Sequence, residues 1–99
     1  MTRVRWTPQA RSDLRRIHEY ISRDSPHYAS LVVAELIGSV RRLQEFPLSG
    51  RVVPEREDPS LREVIWHNYR VVYRHLPATS EAHVLLVFRA ERLFPGGGT

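Results

Sequence analysis

The chemically capable side chains of this chain concentrate between Glu63 and Arg92. They are a carboxylate at Glu63, an imidazole at His83, and guanidinium groups at Arg70, Arg74, Arg89 and Arg92. Arg70 and Arg74 lie four residues apart in "NYRVVYRHL", Asn68 to Leu76, which otherwise reads as a buried strand. A guanidinium does not shed its proton, so burying one without a partner is costly. It also presents a planar fork that grips carboxylates or phosphates through paired hydrogen bonds. These arginines therefore either pair with Glu63 across neighbouring strands or hold an acidic partner.

The elements around them decide which way they point. "VRWT", Val4 to Thr7, reads as a short strand. Thr7-Pro8 and Ser25-Pro26 each read as an N-cap followed by proline at the first helical position. Ala10, Leu14, Ile17 and Ile21 follow at helical spacing, to an end near Arg23. Ala29, Val32 or Val33, Leu36, Val40 and Leu43 mark a second helix, which stops at "EFPLSG". So short a connection makes an antiparallel helical hairpin. Beyond a polar link, "RVVPEREDPS", strands are predicted at Leu61–Trp66, Tyr69–His75 and Ala82–Phe88. His67-Asn68 is the expected tight turn, because Asn tolerates positive φ. The expected fold is α+β: one domain over 1–99, with an N-terminal strand and an antiparallel helical hairpin packed on a mostly antiparallel sheet of about four strands. The tail, 95–99, is expected to be flexible.

Residues directly opposite in a hairpin share a face. One face then carries Val64, Trp66, Tyr69, Val71, Tyr73, Val84, Leu86 and Phe88, and should pack on the helices. The other carries Glu63, Ile65, Arg70, Val72, Arg74, His83, Leu85, Val87 and Arg89. Interleaved apolar and cationic residues on an open face suit a protein partner. Ile65, Val72, Leu85 and Val87 are its expected apolar contacts.

Composition narrows the classes. The 99 residues carry a net charge of +4, and all 15 basic residues are arginine. Acidic partners are favoured, whether nucleic acid or protein. The chain has no cysteine, which excludes disulfides and thiolate metal sites. His75 and His83 are predicted on opposite faces, so no metal site is expected, and the glycines at 96–98 form no phosphate loop. No cofactor is expected. No apolar run nears the roughly 20 residues that span a bilayer, and "MTRVRWTPQA" lacks a signal-peptide core. A soluble cytoplasmic protein without membrane contact is the expectation.

"WTPQARSDLRRIHEYI", "LQEFPLSGR", "LREV" and "NYRVVYR", in this order, resemble the RelE/ParE toxin family across Trp6 to Arg92. The resemblance implies the toxin of a bacterial type II pair, neutralised by a co-encoded antitoxin that wraps it and through which alone it would meet operator DNA. Two branches share the fold. RelE-like members cleave messenger RNA on the ribosome; ParE-like members poison DNA gyrase. Metal-free RNA cleavage needs a base, an acid and cations around the phosphate. Arg70 matches the arginine shared by the family. The preceding basic positions of the nucleases fall at Leu61 and Glu63, which cannot hold a phosphate. A rearranged nuclease would need Glu63 as base and His83 as acid, with Arg70 and Arg89 as cations. These departures favour the ParE-like branch, with Arg89 and Arg92, then Arg70 and Arg74, as expected target contacts. A third reading is an antitoxin-binding module without toxicity.

Overall fold

The computed structural model describes residues 1–91 and Phe94. Strand β1, Arg3–Trp6, leads into helix α1, Pro8–Ser22, and then helix α2, Pro26–Ser39. Both helices start as the sequence predicts. The Thr7 hydroxyl accepts from the Ala10 N–H at 3.2 Å and donates to the Val84 carbonyl at 2.8 Å, so one side chain caps α1 and ties it to the sheet. Ser25 caps α2 by accepting from the Tyr28 N–H at 3.1 Å. After a 3-10 turn at Arg41–Gln44 come β2, Arg51–Val52; β3, Leu61–Trp66; β4, Tyr69–Leu76; and β5, Glu81–Arg89.

The sheet has five strands in the order β1-β5-β4-β3-β2, one more than the pattern suggests. The extra strand, β2, is two residues long and lies within the link read as polar. β1 runs parallel to β5 and the other pairs are antiparallel. The β3–β4 register pairs Trp66 with Tyr69 and Val64 with Val71, as expected. In the turn it is His67, not Asn68, that takes the left-handed conformation, at φ 52°. His is among the residue types enriched there.

Ala10, Leu14, Val32, Leu36, Val40 and Leu43 from the hairpin pack on Tyr69, Val71, Tyr73, Ala82, Val84 and Val87. A second, smaller cluster forms on the far side of the sheet from Val53, Leu61, Val72, Phe88 and Phe94. A bulge decides which β5 residue serves which cluster. Tyr73 pairs with Val84 and Val72 with Leu86, leaving Leu85 as an extra residue. One inserted residue reverses the facing of everything beyond it. Leu86 and Phe88, expected toward the helices, therefore lie on the far side. Val87 and Arg89, expected on the far side, lie toward the helices.

Gly50 and Tyr73 explain why "PLSG" and "VVY" occur together. The Tyr73 hydroxyl donates to the Pro47 carbonyl at 2.7 Å and accepts from the Gly50 N–H at 3.0 Å. A Cβ on Gly50 would stand 2.7 Å from the Tyr73 ring and from the Glu63 carbonyl oxygen. The phenol is fully buried, and desolvation raises its pKa above the usual tyrosine value.

Candidate functional site

The far side of the sheet is closed by the chain itself. Glu63 is opposite Val72 and Arg70 opposite Ile65, so the two charged side chains are diagonal neighbours on one face. The Arg70 side chain is only 6% exposed and that of Glu63 fully inaccessible. Arg70 Nε donates to Glu63 Oε1 at 2.7 Å. Its two terminal nitrogens donate to the two oxygens of Glu55 at 2.8 and 2.7 Å. Arg51 Nε donates to the remaining Glu63 oxygen at 2.6 Å. Two guanidinium groups thus offset two carboxylates, and among the described residues no buried side-chain polar atom lacks a partner. The bidentate hydrogen bonds from Arg70 hold the Glu55 carboxyl down at about 2, and donating to Glu55 and Glu63 raises Arg70 above its ordinary value. The guanidinium also lies 4.9 Å from the Phe88 ring centroid, and Phe94 meets that ring edge-on. Arg56 caps the stack, 4.6 Å from Phe94.

Arg74 fastens the other end of the link between β2 and β3. It donates to Asp58 Oδ2 at 2.9 Å and to Ser60 Oγ at 2.8 Å. Hydrogen bonds from Ser60 and then Arg74 lower the Asp58 carboxyl to about 2.

The predicted site residues are thereby redistributed. Arg70 is buried, and each of its three nitrogens donates to a carboxylate of the chain itself. Val72 is fully buried and Val87 nearly so, which removes both from the expected partner contacts. Ile65 remains 45% exposed and Leu85 half-buried. Arg74 and Arg89 stay partly exposed, Arg89 paired with Glu91 at 2.5 Å. Arg92 and the tail at 95–99 lie outside the described residues. Glu63 and Arg70 meet, but His83 sits five positions along β5 from Phe88, the residue opposite Arg70, and pairs with Glu81 at 3.0 Å. Arg89 faces the helices. The rearranged nuclease set of Glu63, Arg70, His83 and Arg89 is therefore not assembled.

A groove of about 970 Å³ opens on the helix side, between α1 and the end of β5. Tyr20, Ile17, Tyr69 and Val87 give it an apolar floor. Its arginines, Arg16, Arg23 and Arg89, are matched by Asp13, Glu19 and Glu91. Asp13 is buried, accepts from the Val87 N–H at 2.9 Å and pairs with Arg16. It thereby satisfies a backbone donor that the short β1 leaves open on β5.

The sequence pattern passes over Glu55 and Asp13, the two carboxylates that organise these surfaces. Asp13 was detectable, since it stands three residues after Ala10 and four before Ile17, on the edge of the apolar stripe. Glu55 had no such signal. It is one of several acids in an aperiodic link, 15 residues from its partner.

Comparison with known proteins agrees with this architecture. Residues 4–94 match the family described as ParE toxin of type II toxin–antitoxin system, parDE. The Sinorhizobium fredii protein Y4kP, named as a toxin, is 36% identical over 95 residues, covering 94% of this chain and 93% of that protein. A chain of the chromosomal ParDE system from P. aeruginosa superposes with a TM-score of 0.76 at 26% identity, covering 92% of this chain and 98% of that one. A chain of the intact E. coli RelBE toxin–antitoxin complex shares the fold, with a TM-score of 0.68 at 19% identity over 93% of this chain and all of that one.

Proposed function

Starting from the chain's membership of the ParE toxin family of type II toxin–antitoxin systems, we propose that it inhibits DNA gyrase by binding and is neutralised by a cognate antitoxin. The observation that carries the choice of target is the closed face. A nuclease of this fold needs open cations beside the shared arginine to hold a phosphate. Here Arg70 is buried between Glu55 and Glu63, and the preceding strand offers Leu61 and Glu63. A phosphate approaching Arg70 would have to displace two carboxylates and enter a site walled by Phe88 and Phe94. Arg74, Arg89 and Arg92 are the proposed target contacts of this reading, acting by surface charge rather than by chemistry. The groove between α1 and β5, apolar and charge-balanced, is the surface an amphipathic antitoxin segment would cover. Both interactions would take place in the cytoplasm.

The test is expression without the antitoxin, followed by gyrase assays with purified chain. The expected outcome is growth arrest together with gyrase-dependent linearisation of plasmid DNA. Cleavage of translated messages while gyrase activity is unchanged would overturn the proposal in favour of the ribosomal branch. Soluble expression with no arrest would leave only antitoxin binding.

A further inference from the structure

The chain's arginines are unequally committed. Seven pair with carboxylates: Arg3 and Arg5 with Glu81, Arg16 with Asp13, Arg51 and Arg70 with Glu63, Arg74 with Asp58, and Arg89 with Glu91. Arg23 and Arg56 lie over aromatic rings, and Arg62 donates to backbone carbonyls. With Arg92 outside the described residues, that leaves Arg11, Arg15, Arg41 and Arg42, all exposed and without a side-chain partner among the described residues.

Two of them stand on α1 and two on the 3-10 turn after α2. Arg11 and Arg15 continue along α1 into His18 and Ser22, which are hydrogen-bonded to each other. His18 also reaches Ser30 of α2 at 3.3 Å, so this row of α1 borders α2. The helices run antiparallel, which brings the start of α1 beside the end of α2. Ala10 and Val40, the immediate neighbours of Arg11 and Arg41, are both buried in the helix-facing cluster. The outer seam of the hairpin therefore carries Arg11 and Arg15 unneutralised on α1, with Arg41 and Arg42 on the 3-10 turn that follows α2. Glu35 and Glu45, the carboxylates nearest to Arg41 and Arg42 in the chain, make no ion pair with them.

We propose that this seam is a docking surface for the phosphodiester backbone of duplex DNA. Arg11 and Arg15 are one helical turn apart, a rise of about 6 Å, close to two base steps of about 3.4 Å each. The side chains between the arginines are mainly small or polar. The most exposed apolar residues of the hairpin lie elsewhere: Tyr20 lines the groove, and helical spacing turns Tyr28 and Leu31 away from the Ser30 row. A protein interface would be anchored by buried aromatic or large apolar groups, which the seam lacks apart from Ile37. Arginine without an apolar anchor suits a repeating anion, and such contact would be independent of base sequence.

Fluorescence anisotropy of the full chain with a labelled random-sequence duplex, across 50–200 mM NaCl, tests this without any toxicity readout. Arg11→Gln with Arg15→Gln is compared with Arg3→Gln with Arg5→Gln, which removes the same charge from the committed set. The wild type is expected to bind with strongly salt-dependent affinity. The hairpin pair should weaken binding about tenfold or more and lower the salt slope by about 1.8, at about 0.9 per phosphate contact. The control pair should change both far less. Circular dichroism confirms that each variant is folded. Equal losses from the two pairs would reduce the effect to net charge and overturn the assignment. So would an absence of salt-dependent binding by the wild type, or competition by polyglutamate as effective as by DNA.

Discussion

Arg70 and Arg15 are the same residue type in opposite circumstances. Arg70 sits in the sheet with every nitrogen bonded to a carboxylate and an aromatic ring against its face. Arg15 stands on the hairpin with no side-chain partner among the described residues. The contrast shows that an arginine-rich, basic chain need not present its arginines uniformly. Here the sheet's far side uses them as internal ties, while the hairpin leaves them to solvent or to something else.

The contrast can be tested by changing each region in turn. Arg70→Met leaves Glu55 and Glu63 facing each other without their shared cation. Breaking a buried pair in this way costs about 3–5 kcal/mol, whereas Arg15→Gln, at an exposed site, should stay within about 0.5 kcal/mol. Urea denaturation of both variants checks this. Comparable stabilities would mean that Arg70 is not an internal tie.

Tyr73→Phe is the next largest expected effect. It keeps the ring but strands the Gly50 N–H and the Pro47 carbonyl. Leaving buried groups unpaired costs about 1–3 kcal/mol. A variant as stable as the wild type in the same denaturation would show that this lock contributes nothing.

The smallest effect is acid sensitivity. Arg70 holds Glu55 at about 2, against an ordinary value of 4.5, and Ser60 and Arg74 hold Asp58 at about 2, against 3.8. A carboxyl whose folded value is depressed contributes stability that is fully present above its unfolded value and lost as pH falls through the folded one. The melting temperature should therefore be level from pH 7 to 5 and decline between about 4.5 and 2. Solvent screening of these partly exposed groups keeps the decline shallow. A melting temperature that stays level from pH 4.5 down to 2 would count against both ties.

How much was legible beforehand follows from the range of each signal. The N-caps at Thr7 and Ser25, the apolar row of α1 and the β3–β4 register rest on neighbours within a few residues and match the structure, whereas α2, expected to run to "EFPLSG", ends at Ser39 and Leu43 belongs to the 3-10 turn that follows. β2 is too short to carry a pattern. The β5 bulge falls in "VLLVF", where every residue is apolar and no polar marker fixes the facing. The far side was read as open because its lid, from Val53 to Ser60 with Phe94, comes from segments without periodicity. The pattern left open whether Arg70 or Arg74 pairs with Glu63 or both face a partner; the structure pairs Glu63 with Arg70. What stayed hidden was Glu55, the second carboxylate, which turns a surface pair into a sealed one.

The extra residue at Leu85 has one more consequence. β5 supplies Val84 and Val87 to one interior and Phe88 to the other, and it changes sides at a single position. Hydrophobicity alone cannot preserve that arrangement. In this strand the number of residues matters as much as their kind: losing one from "LLVF" would keep the apolar character of the stretch while sending side chains to the wrong interior. Sequence drift here should be far freer in substitution among Leu, Val and Ile than in length.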